Sequence, residues 1–68
     1  MDISVNGSQR AVAAGQTVAG LLAELEMNPD VVNVQLNGEI VPRSRFGEVS
    51  LKDGDQVEIL MFMGGGAR

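Results

Sequence analysis

Residues 61–68 read MFMGGGAR, and the three consecutive glycines Gly64, Gly65 and Gly66 are the chemically distinctive part of the chain. Glycine has no Cβ, so a run of it lets a backbone thread a narrow channel and come close to another reactive centre. A glycine carboxylate is also the least hindered acyl group a protein can offer. An ATP-dependent enzyme can activate such a carboxylate as an acyl-adenylate, and a sulfur donor or an amine can then displace AMP. The competing reading is a frayed end, since termini rich in small residues are common. The triplet, however, follows an apolar stretch directly, with no polar spacer.

Other routes to chemistry are thin. The chain has no cysteine and no histidine, which removes thiolate nucleophiles, imidazole bases and the usual zinc ligands. Its nine acids are scattered and lack the spacing of a calcium loop. The sequence therefore predicts no catalytic residue, no metal and no bound cofactor. The net charge of −4 makes nucleic acid a poor partner, because phosphate binding needs clustered Lys and Arg. A cationic patch on another protein suits it better. No apolar run has the length of a membrane span. The start, MDISVNG, lacks a basic region followed by an apolar one, so a cytoplasmic protein free of membranes is expected. At 68 residues the chain is one domain with too small a core to house a large cleft. Its work is expected at a surface, an end or an interface.

The glycines need a scaffold to present them. Met1, Ile3 and Val5 alternate with polar residues and predict a half-buried strand. Asn6-Gly7 predicts a tight hairpin, and a second strand runs from about Gln9 to Ala13. Thr17 reads as a helix N-cap, followed by Val18, Leu21, Leu22 and Leu25 at helical spacing. Gly20 inside that helix suggests close packing on a sheet, and Asn28-Pro29 marks the helix end. Val32, Val34 and Leu36 give a third strand, Asn37-Gly38 a second hairpin, and Glu39–Val41 a short return strand. Arg43–Val49 reads as irregular and anchored by Phe46, and Asp53-Gly54-Asp55 as a turn. Gln56–Phe62 is the last strand, running into the glycines.

A lone helix must cross one sheet face to bury its stripe. The first and last strands can then lie side by side and parallel. The expected fold is α+β: a β-grasp, ubiquitin-like, with a mixed sheet of four to five strands on one helix over residues 1–62. A flexible tail is expected over 63–68. On the last strand Val57, Ile59 and Met61 are assigned to the helix side. Leu60 and Phe62 fall on the open face, where exposed anchors beside a reactive end suit partner docking; the alternative for Phe62 is an edge-of-core contact near Val5. Met63 reads either as an adaptable contact or as a simple strand end. Glu39, Glu48, Asp53, Asp55 and Glu58 either steer a basic partner or form a solvated face, with turn chemistry the better explanation for Asp53 and Asp55.

In order and spacing, NG at 6–7, AAGQTVAGLLAEL at 13–25, QLNGEIVPRSRF at 35–46, LKDGDQVEIL at 51–60 and GGG at 64–66 resemble the ubiquitin-like sulfur carriers. The similarity covers nearly the whole chain and is greatest to the ThiS type of thiamine biosynthesis. Molybdopterin-synthase small subunits share the fold and the Gly-Gly end but fit the middle section less well. The resemblance implies that a ThiF-type, E1-like adenylyltransferase uses ATP to activate the terminal glycine. A persulfide donor then supplies sulfur, and the thiocarboxylate passes it to a thiazole synthase-type enzyme. The chain is then a protein cosubstrate, not an enzyme. Carriers of the thiamine type typically stop at glycine, whereas Ala67 and Arg68 follow Gly66 here. The resemblance therefore implies that Gly66 becomes the acyl end only after a peptidase removes Ala67 and Arg68. The resemblance also implies an alternative, a carrier trimmed in this way for another sulfur pathway (amino acid, siderophore or molybdopterin). A ubiquitin-like protein modifier and a plain β-grasp interaction module remain the alternatives.

Overall fold

A computed structural model describes residues 1–61. Five strands and one helix follow in the order β1 (Asp2–Val5), β2 (Ser8–Ala11), α1 (Val18–Glu24), β3 (Val32–Leu36), β4 (Glu39–Val41) and β5 (Gln56–Met61). Short 3-10 turns occupy Pro29–Val31 and Arg43–Arg45. The sheet order is β2-β1-β5-β3-β4. Only the β1–β5 pair is parallel, with Ser4 opposite Gln56 and Val5 opposite Val57. This is the mixed β-grasp sheet, and its last strand lies at the centre.

Both hairpins form where the Asn-Gly pairs stand. Asn6 and Gly7 have φ of 51° and 88°, and Asn37 and Gly38 have 52° and 86°. Two consecutive positive φ values match the right-handed twist of the flanking strands. Thr17 caps α1, its Oγ1 accepting from the Gly20 N–H at 3.0 Å. Val18, Leu21 and Leu22 are fully buried and meet Ile3, Val32, Val34, Val57 and Ile59 from the sheet. Phe46 and Leu51 close the core beneath the irregular segment, as the sequence suggests for Phe46.

Several local expectations are corrected. The second strand is Ser8–Ala11 rather than Gln9–Ala13, although Val12 still exchanges backbone bonds with Met1. The helix stops at Leu25, before Asn28-Pro29. Glu26 turns left-handed at φ 58°, Met27 N–H reaches Leu22 C=O, and Glu26 N–H reaches Ala23 C=O. These bonds satisfy the last helical carbonyls. Asn28 instead caps the next turn through Asp30 N–H at 2.9 Å. Gly20 is not pressed against the sheet: the atoms nearest its Cβ position belong to the side chains of Gln16 and Thr17, with the movable Gln16 amide lying over the first helical turn. That amide accepts from Thr17 N–H and donates to Glu24.

Glu26 occupies a conformation that favours glycine. The left-handed penalty for a side chain is roughly 1–2 kcal/mol, against roughly 0.5–1 kcal/mol for glycine's extra freedom when unfolded. Glu26→Gly is therefore expected to raise stability by about 0.5–1 kcal/mol, read as a higher thermal midpoint. An unchanged or lower midpoint would contradict this description of the helix end.

Met61 is the remaining correction. Alternation puts it on the helix side with Val57 and Ile59, yet it is 53% exposed while they are buried. Val32, its partner on β3, is fully buried, so the core reaches this level. Met61 stands four residues past Val57, where β1 ends, on an edge of β5 that has no neighbouring strand.

Candidate functional site

The chain leaves the described fold at the end of β5, so the site is built around that strand. On its open face Leu60 lies opposite Asn33 of β3 and is 54% exposed. One step back, Glu58 pairs with Gln35, which pairs in turn with Ile40 on the edge strand β4. Ile40 is 72% exposed. Two apolar side chains thus stand on one face, separated by the polar pair Gln35 and Glu58. The sequence places Leu60 correctly but says nothing of Ile40. The alternation within Glu39-Ile40-Val41 is the signal that could have found it, since Val41 is buried and its neighbour must point away.

Phe62, Met63, Gly64, Gly65, Gly66, Ala67 and Arg68 lie outside the described residues. The expected tail over 63–68, the docking role of Phe62 and Met63 and the acyl role of Gly66 all fall there.

Three polar side chains hold the scaffold in ways their local sequence does not announce. Asn6 reaches from the first hairpin to β5, where its Oδ1 accepts from Ile59 N–H at 2.8 Å and its Nδ2 donates to Ile59 C=O at 3.3 Å. Asn37 acts at the start of β5, accepting from Gln56 N–H at 2.9 Å and donating to the Asp55 carboxylate at 3.0 Å. Arg43 donates to the carbonyls of Pro29 and Val32, both at 2.8 Å, and ties the approach to β3 in place. A guanidinium suits this, since it presents several donors in a fixed fork.

The acids divide by structure. Asp55 accepts from Lys52 N–H at 2.7 Å and closes the turn before β5, as turn chemistry predicts, whereas Asp53 accepts from Asp2 N–H at 2.7 Å and ties that turn to β1. Glu48 pairs with Arg45 at 3.6 Å on the surface, where such pairs contribute little. Glu39 and Glu58 are exposed. Among the described residues no polar or charged residue is buried, and no cluster of acids could hold a metal ion. No described helix is long and apolar enough to cross a membrane. A desolvated acid or base of the kind enzymes tune for proton transfer is absent from the described part. What the geometry offers is a rigid central strand with an exposed face.

These features define a ubiquitin-like β-grasp protein whose central strand ends just before three glycines. Comparison with known proteins makes the class more specific. The ThiS family matches residues 3–66, a match that ends on Gly66. The chain is 35% identical to the sulfur carrier protein ThiS of Escherichia coli, over 97% of this chain and all of that one. It is 43% identical to the crystal structure of a thiamine biosynthesis protein (ThiS) from Geobacter metallireducens, with a TM-score of 0.85. That match covers 97% of this chain and the whole of the other. A thiazole synthase of Paramagnetospirillum magneticum is 43% identical over 98% of this chain, which spans about a fifth (21%) of that protein's length. The chain belongs to the ThiS family. Two relatives of about its own length, from Escherichia coli and Bacillus subtilis, are named sulfur carrier proteins.

Proposed function

We propose that this protein carries sulfur as a thiocarboxylate on Gly66 and delivers it to a thiazole synthase-type enzyme of thiamine biosynthesis. The observation that carries the proposal is the family match ending on Gly66, at the last of three glycines that begin three residues after the central strand. The likeness to about a fifth of a thiazole synthase supports that enzyme class as the sulfur acceptor.

The chemistry needs nothing from the carrier beyond its carboxylate. One carboxylate oxygen of Gly66 attacks the α-phosphorus of ATP, and pyrophosphate leaves. The terminal sulfur of a persulfide then attacks the acyl carbon and expels AMP, giving an acyl disulfide. A thiol cleaves the S–S bond, leaving the thiocarboxylate on Gly66 and a disulfide on the donor side. The ThiF-type adenylyltransferase supplies the first site and the persulfide donor the sulfur. Gly66 has a free carboxylate only once Ala67 and Arg68 are removed, so a peptidase step precedes activation.

Leu60 is the apolar anchor proposed for docking on these partners. Leu60→Ala is expected to cost about 1–2 kcal/mol of partner binding, roughly a 5–30-fold rise in KM for adenylation. Folding stability should change by less than about 0.5 kcal/mol, since the residue is half exposed. A KM equal to that of the parent chain would remove Leu60 from the interface.

Reconstitution tests the whole proposal. The chain ending at Gly66, the ThiF-type enzyme, ATP and a persulfide donor should together exchange one carboxylate oxygen for sulfur, seen by intact mass. The 68-residue chain should remain unmodified without a peptidase. Absence of exchange in the trimmed chain would refute the carrier function. Joining of Gly66 to lysine side chains would establish a protein modifier instead.

A further inference from the structure

The two edges of β5 are supported unequally. On one side β3 runs its full length, pairing Leu36 with Val57 at one end and Val32 with Met61 at the other. On the other side β1 ends at Val5, opposite Val57. The chain then turns away through Asn6 and Gly7 into β2. The last backbone bond from this side is Asn6 N–H to Val57 C=O at 2.9 Å. Beyond it, the side-chain amide of Asn6 takes both backbone groups of Ile59. One asparagine thus stands in for the next residue of a strand that is no longer there. It can do so because its left-handed φ of 51° folds the chain back while its amide presents an acceptor and a donor on two adjacent atoms, whereas a carboxylate has no donor and a hydroxyl has both functions on one oxygen.

We propose that Asn6 is a positioning residue for the acyl end. By holding Ile59 on the edge that β1 leaves open, it fixes the direction in which Leu60 and Met61 carry the chain out of the sheet. This rests on the carrier function proposed above. Asn37, in the other Asn-Gly hairpin, provides the reference: its side chain accepts from Gln56 N–H at the start of β5 and donates to the Asp55 carboxylate just before it, the end far from Met61. Losing either side chain removes two hydrogen bonds and leaves a hairpin turn that glycine adopts readily. Only loss of Asn6 acts on the exit.

The test compares Asn6→Gly with Asn37→Gly. In the full chain, amide hydrogen exchange should show Ile59 losing protection by roughly tenfold in Asn6→Gly, with Gln56 unchanged, and the reverse in Asn37→Gly. In the chain trimmed to Gly66, whose described fold is complete at Met61, ATP–pyrophosphate exchange by the ThiF-type enzyme gives the functional readout. Asn6→Gly should lower kcat by about tenfold or more, with KM within about twofold, because docking persists while the reacting carboxylate is misplaced. Asn37→Gly should leave kcat unchanged when both variants are assayed at a temperature where they are folded. Equal kcat losses in both variants, or none in Asn6→Gly, would make Asn6 a stability residue only and overturn the proposal. Unaltered Ile59 exchange in Asn6→Gly overturns it independently of any enzyme. A parent chain that supports no ATP–pyrophosphate exchange refutes the carrier function itself, and the positioning role with it.

Discussion

A chain ended at Gly64 should lose sulfur transfer altogether while melting like the chain ended at Gly66. Removing Gly65 and Gly66 draws the carboxylate back by up to ~7 Å, at roughly 3.5 Å per extended residue. A misplacement of about 1 Å at a reacting centre can already cost about 10²-fold. No thiocarboxylate should therefore be detected, even with excess enzyme. The fold has little reason to notice. Among the described residues the twelve buried hydrophobics run from Ile3 to Ile59, and the described sheet is complete at Met61. Paired melting curves and intact-mass assays check both halves of the expectation. Retained sulfur transfer at Gly64 would mean that the glycines are not the reactive end. A collapsed melting curve would mean that they belong to the fold.

Leu21→Ala should do the opposite, removing the fold and carrying function away with it. Leu21 is one of only three fully buried residues on the single helix, with Val18 and Leu22. Truncating a buried leucine typically costs about 2–5 kcal/mol. A core in a chain of this size rarely supplies more than about 3–5 kcal/mol. A loss of about 3 kcal/mol corresponds to a fall of roughly 12–24 °C in Tm for a domain of this size. Thermal denaturation followed by circular dichroism should place much of the variant in the unfolded state near 37 °C. A shift of only a few degrees would show that the helix is not the main seal of the core. Leu60→Ala makes the contrast: the same atoms are removed from a half-exposed site, with effect on partners but not on folding.

The sheet was legible because its signals are local. Alternation at Val32, Val34 and Leu36 marks a strand, and Asn6-Gly7 and Asn37-Gly38 mark turns whose positive φ values those residues tolerate. The parallel pairing of β1 with β5 followed from the need to bury one helix. What stayed hidden depends on distant parts of the chain. Nothing near Asn6 announces that its amide will bond Ile59, 53 positions away. Nothing near Arg43 announces the carbonyls of Pro29 and Val32. Periodicity gave the face of Met61 but not that β1 stops opposite Val57 and leaves that edge of β5 without a neighbouring strand. The helix end was misplaced because proline is a conspicuous stop, whereas a left-handed Glu26 carries no sequence mark. In the site, Leu60 could be read from the sequence and Ile40 could have been. The glycines carry the strongest chemical signal, yet their surroundings lie beyond the described residues.

The most direct measurement is the intact mass of the untagged protein purified from its native host under high demand for sulfur. A sulfur carrier ending at Gly66 should appear without Ala67 and Arg68, and with one oxygen replaced by sulfur. A chain that always keeps both residues and never gains sulfur would contradict the proposed function.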